Sequence, residues 1–187
     1  MEPNGREACR RTILSAMRRT ILCFCLMLGA LEAQNNLTTT ATQRYFNVVR
    51  RNLESSADVM PADKYQFRLT SGQMTFAEWL IHSAQRNFTD CATLRSETAP
   101  QSPEHLAGLK EKADVSKALK DSFAYCAAAL EATDDQKVSS SPQMSYAFLH
   151  ILVHNNEIYG NIAGYLRANG IVPPSTAARA AQRGKKN

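Results

Sequence analysis

The sequence predicts an all-α protein, a four-helix bundle preceded by an N-terminal signal sequence. Three observations carry that expectation. Beyond residue 41, apolar residues recur every three to four positions in four long segments. Proline and short polar residues punctuate the gaps between them. No stretch alternates apolar and polar residues as a half-buried strand does. With 187 residues, 44% of them hydrophobic and 21% charged, the chain suits one folded domain rather than a disordered polymer.

Residues 1–33 have the parts of an export signal. Arg18 and Arg19 precede the apolar run Ile21–Ala30, and Leu31-Glu32-Ala33 offers a cleavage point before Gln34. The run is shorter than the roughly 20 residues a membrane span needs, so no stable span is expected in the mature chain. Met17 stands immediately before the two arginines and is an alternative start. Export, to a periplasm or out of the cell, changes how the cysteines are read. Cys9, Cys23 and Cys25 leave with the signal, and Cys91 and Cys126 remain as candidates for one disulfide. The alternative is two buried free thiols packing as small hydrophobes.

Residues 34–41 read as a polar lead-in. Thr42 to Met60 forms the first helix, with Tyr45, Phe46, Val49, Leu53 and Ala57 at helical spacing, and Pro61 stops it. A linker without sustained period reaches Met74. Thr75 then caps the second helix, with Glu78 three residues on completing a capping box. That helix runs to about Arg95, with Phe76, Leu80, Ser83, Asn87, Cys91 and Leu94 on one face and Trp79, His82 and Arg86 on the neighbouring stripe. The third helix spans about Leu106 to Thr133, with Val115, Leu119, Phe123, Cys126 and Leu130 inward. The fourth spans about Pro142 to Asn169, its stretch Tyr146–Val153 expected to be enclosed and its Gly160 and Gly164 expected under a close backbone. Gly170 supplies the left-handed stop. Residues 175–187 read as a flexible basic tail, and the domain proper is 34–174.

The net charge is +5. About two of these charges lie in residues 1–33, and Arg183, Lys185 and Lys186 crowd the C-terminus. A weakly charged body with a basic tail is not the footprint of a nucleic-acid binder, and no nucleic-acid partner is expected. The local chemistry worth following is histidine. His150 and His154 are four residues apart and so share a helical face, with Ile158 next in the row. Together with His82 on another helix they could assemble a site for zinc, nickel or iron. Each could equally be a satisfied core residue. Asn155 reads as solvated and Tyr159 as packed between helices.

The segments ADVMPADKYQFRLTSGQMTFAEWLIHSAQRNFTDC and FLHILVHNNEIYGNIAGYLRANGIVPP resemble the DinB-like family, a group related to the YfiT type of metal-dependent hydrolases. The resemblance spans nearly the whole mature chain. It implies a four-helix bundle connected up-down-down-up, with a divalent metal held by three histidines. Two of those positions match His82 and His154. The third falls at 158, where the family motif reads H-N-N-E-H-Y-G and this chain has Ile158. Isoleucine offers no donor atom, so the implied triad is reduced to two imidazoles, with His150 and Glu157 as substitutes. The expectation is therefore a metal-dependent transferase or hydrolase with an incomplete triad, acting on a small molecule or thiol. Its alternative is a non-catalytic helical binding module with a degenerate pocket. A homodimer is also open.

Overall fold

The structure, a computed structural model, describes residues 36–185. The expected signal segment 1–33, the alternative start at Met17, and Cys9, Cys23 and Cys25 lie outside the described residues. Contacts divide the chain into the units Met1–Thr38 and Thr39–Asn187, and the second holds the core and the site described below.

The described residues contain seven α-helices and no strand. Four are long: α1 (Leu37–Val59), α2 (Phe76–Arg95), α4 (Lys112–Glu131) and α6 (Pro142–Ala168). Three are short: α3 (Pro103–Ala107), α5 (Asp135–Val138) and α7 (Pro174–Gly184). The capping box at α2 forms as its sequence requires. Glu78 N–H donates to Thr75 Oγ1 at 3.0 Å, and Thr75 N–H donates to Glu78 Oε2 at 2.6 Å. Ser141 caps α6 through the Met144 N–H, with Pro142 at the first turn where a missing N–H costs nothing. Gly170 ends α6 at φ +72, a conformation open to glycine without strain.

Side-chain contacts give the helix directions. Gln43 bonds the Leu130 carbonyl, Phe46 packs on Phe123, and Lys120 pairs with Asp58, so α1 and α4 are antiparallel. Asn87 meets Ser122 and Cys91 meets Cys126, so α2 and α4 run parallel. Trp79 meets Tyr165 and Asp90 meets His150, so α6 runs antiparallel to α2. Between them lies one apolar core. Phe76, Leu80, Cys91 and Leu94 from α2, Val115, Leu119, Phe123 and Cys126 from α4, and Phe46, Leu53 and Ala57 from α1 are all nearly or wholly buried.

Several expectations need correction. The first helix begins at Leu37, so most of the supposed lead-in is helical. The third segment is broken: α3 ends at Gly108 and α4 starts after Glu111. The chain beyond Pro173 forms helix α7, because Pro174 sits at a first-turn position where proline favours a new helix. Tyr146, Leu149 and Val153 are 57–65% exposed rather than enclosed. Their row faces outward while Phe148 and Ile151 face in, so an apolar run of this kind covers both sides of a helix. Neither Gly160 nor Gly164 has another backbone against it; only the Leu69 side chain comes near Gly164, at 3.7 Å.

Cys91 and Cys126 stand at disulfide distance, with Cα atoms 5.2 Å apart and a separation of 35 positions in sequence. The link joins α2 to α4 at the centre of the core. Cys91→Ala/Cys126→Ala should lower stability by about 2–4 kcal/mol in urea titrations under non-reducing conditions. An unchanged midpoint would show that the pair is not bridged in solution.

Candidate functional site

Beside the apolar core, α2, α4 and α6 share a buried chain of polar side chains. Ser83 Oγ donates to Asn155 Oδ1 at 2.6 Å, and Asn155 Nδ2 donates to Asn87 Oδ1 and to the Ile151 carbonyl, both at 2.7 Å. Asn87 Nδ2 donates to Ser122 Oγ at 3.1 Å, and Ser122 Oγ donates to the Leu119 carbonyl at 2.7 Å. All four side chains are 0–1% exposed. The expectation of a solvated Asn155 is thus overturned: its amide is the junction of a satisfied network. A glycan at the Asn87-Phe88-Thr89 sequon is excluded by the same burial.

This network fixes the level at which α6 lies against α2. His82 precedes Ser83, and His154 precedes Asn155. One residue on a helix is a turn of about 100°, so the same level that pairs Ser83 with Asn155 inside pairs the two histidines at the rim. Their Nε2 atoms are 3.0 Å apart, close enough for one imidazole N–H to donate to the other's lone pair. The rings meet edge to face at a centroid distance of 4.8 Å. Trp79 lies beyond His82 at 6.4 Å, and its Nε1–H donates to Tyr165 Oη.

The remaining expected residues fall differently. Ile158 is wholly buried in the apolar core and presents no donor. His150 does not join the His82–His154 contact. Its ring stacks on His154 at 4.7 Å and 15°, and Tyr146 stacks on its other face at 5.0 Å and 17°. His150 Nδ1 donates to Asp90 Oδ2 at 2.7 Å, while the other carboxylate oxygen accepts from Arg86 at 3.0 Å. Glu157 lies on the Nδ1 side of His154, 3.9 Å away, with its side chain 69% exposed. Asp90 is the residue that sequence reading missed. Its one signal was a carboxylate four residues after Arg86 on the stripe that carries His82.

Burial pushes the pKa of both paired histidines down, since the charged form loses water. For His82 the Arg86 guanidinium adds to that effect. For His154 burial comes first, then the charges of His82, His150 and Arg86, and the value falls to about 4. Both rings are therefore neutral at pH 7, the form in which imidazole can donate a lone pair to a metal ion.

Two converging neutral imidazoles fit a borderline-soft divalent ion as a two-point site. They do not complete the three protein ligands of a catalytic zinc centre. Among the described residues no group of three or more His, Cys, Asp or Glu is arranged to hold a metal ion. A cleft of about 470 Å³ opens beside His82, lined by Arg68, Met74, Glu78, Ile81 and Leu109 among others. Gln73 also lines it, and its buried Oε1 has no hydrogen-bond partner in the protein. A smaller cleft of about 220 Å³, beside His105, Asp114 and Lys117, contains none of the expected site residues. No protein-family model, curated protein or solved structure matches the chain.

Two outcomes test this arrangement. Asn155→Leu leaves Ser83 Oγ and Asn87 Oδ1 without the partners they have in the network, and each stranded buried atom costs about 1–3 kcal/mol. A loss of at least about 2 kcal/mol in urea unfolding is expected, and a near-neutral result contradicts the network. The second outcome concerns pH. His154 keeps its low pKa only when folded, so between about pH 6.5 and 4 the unfolded chain takes up a proton that the folded one refuses. Its contribution is complete above that window and is lost as pH falls through it. Between pH 7 and 5 the urea midpoint should fall more steeply for wild type than for His154→Gln; equal slopes would contradict the assignment.

Proposed function

We propose that this chain is an exported DinB-like four-helix-bundle protein that binds a divalent metal through His82 and His154. The observation that carries the reading is the Nε2 pair, 3.0 Å apart, contributed by two different helices. Two side chains so far apart in sequence, aimed nitrogen to nitrogen at a half-open rim, are placed as a first pair of ligands would be. The helix directions derived above agree with the up-down-down-up connection that the resemblance implies. For export, the support is the cysteine pair at disulfide distance and the basic-apolar-small pattern of residues 1–33. No helix among the described residues is long and apolar enough to cross a membrane.

Zinc, nickel or iron held there would act as a Lewis acid on a small molecule or a thiol. The chain's own contribution is to place that molecule. The cleft beside His82 offers an apolar wall in Met74, Ile81 and Leu109, an acceptor in Gln73 Oε1, and the Arg68–Glu78 pair at its rim. These groups suit a compact ligand with an apolar body and a hydrogen-bond donor.

One observation favours a second reading, a non-catalytic binding module. Ile158 fills the expected third-ligand position and is sealed into the core, so the pocket has changed towards packing. Metal titration separates the two. Untagged protein stripped with chelator should take up one zinc or nickel ion per chain, and His154→Ala should abolish the uptake. Should wild type take up none while Ile158→His gains a site, the metal reading fails and the binding-module reading stands.

A further inference from the structure

The outward face of α6 is apolar where a helix facing water should be polar. Tyr146, Leu149 and Val153 are 57–65% exposed, and the exposed Asn156 and Gly160 continue their row. The five positions are spaced by three, four, three and four residues, the seam pattern of two packed helices. At about 100° per residue they fall within about 80° of one another around the helix axis. No charged residue lies in the row. Tyr45 and Val48 of α1, 41–49% exposed, widen the face, and Tyr45 Oη donates to Asn156 Oδ1 across the two helices at 3.3 Å. Together the five apolar side chains expose on the order of 500 Å². That is more than half of the roughly 800 Å² that each partner contributes to a stable interface.

The order of side chains along the row points to the partner. Tyr146 stands seven residues before Val153 and Gly160 seven after it, while Leu149 stands four before and Asn156 three after. Laid antiparallel on its own copy about a two-fold axis at Val153, the row sets its largest side chain against its smallest. Tyr146 then meets the partner's Gly160, where a side chain would touch nothing within 4 Å, so the ring has room. Leu149 meets the partner's Asn156, and Val153 meets the partner's Val153. A two-fold interface uses one patch twice and so requires this self-match, whereas a foreign protein or a lipid surface does not. A parallel pairing would set Tyr146 against Tyr146 and Gly160 against Gly160, overfilling one end and leaving a void at the other. We propose that the α1–α6 face is the interface of a homodimer, in which the two α6 helices lie antiparallel and meet at Val153. This interface does not depend on the metal reading.

Sedimentation equilibrium on untagged protein tests the interface through the dimer dissociation constants of wild type, Val153→Glu, Gly160→Leu and the double variant Tyr146→Ala/Gly160→Leu. All three positions are exposed in the single subunit, so the variants should fold, and circular dichroism checks that they do. Wild type should be dimeric at micromolar concentration. Val153→Glu sets like charges face to face on the axis and should weaken the dimer by at least about 30-fold. Gly160→Leu should weaken it by about tenfold or more by crowding the partner's Tyr146, and adding Tyr146→Ala should restore most of that loss. In a parallel pair position 160 meets its own copy, and Tyr146→Ala would rescue nothing. The inference is overturned by a monomeric wild type, by a Val153→Glu dimer as tight as wild type, or by a double variant no tighter than Gly160→Leu. A monomer that cosediments with vesicles of phosphatidylcholine and phosphatidylglycerol, and ceases to do so as Val153→Glu, would give the face to a lipid surface instead.

Discussion

The chain of amides and hydroxyls through Ser83, Asn155, Asn87 and Ser122 is the constraint on which the site depends. Apolar packing alone tolerates sliding of one helix along another, because leucine and isoleucine contacts are interchangeable within a turn. Directional hydrogen bonds are not. Sliding α6 by one turn would break both bonds that Asn155 makes to α2 and strand Ser83 Oγ and Asn87 Oδ1 in a core with no water, at about 1–3 kcal/mol for each group. The network therefore sets the register of α2, α4 and α6, and the apolar residues supply the bulk of the driving force around it. The Cys91–Cys126 pair stands one turn further along the same α2–α4 contact and repeats the register that Asn87 and Ser122 define.

The consequence at the rim follows from helix geometry. Fixing Ser83 against Asn155 brings His82 against His154, and the antiparallel course of α2 and α6 then brings Asp90 level with His150. Two kinds of histidine result from one register. His82 and His154 are bound to each other and held neutral. His150 is bound to a buried carboxylate and oriented by it. Hydrogen bonding in both cases aims an imidazole, and a cleft opens beside His82.

Much of this was legible in the sequence because helical periodicity reports burial directly. Phe76, Leu80, Ser83, Asn87, Cys91 and Leu94 were grouped on one face by spacing, and all six are buried without exposure. The inward row of α4 was legible for the same reason. Periodicity failed where apolar residues do not face the core. Tyr146, Leu149 and Val153 lie on the outer side of α6, and Tyr45 is half exposed, its hydroxyl donating to Asn156. Helix α7 was missed because proline breaks one helix and starts the next with the same residue type. Of the site, local chemistry groups His82, His150 and His154, and only the resemblance singles out the His82–His154 pair, since nothing local to either residue says that they meet. Asp90 was invisible for a related reason. Its partner is 60 residues away, and a carboxylate on a mostly polar stripe reads as a solvated charge until the opposing helix is in place.

The claim that the buried polar chain sets the histidine pair is tested most directly by ¹⁵N–¹⁵N scalar coupling across the His82–His154 hydrogen bond. The measurement belongs in the metal-free protein above pH 7, where both rings are neutral. The account predicts a measurable coupling between the two Nε2 atoms in wild type, lost in a folded Asn155→Leu variant. No coupling in wild type, or an undiminished coupling in that variant, would contradict it.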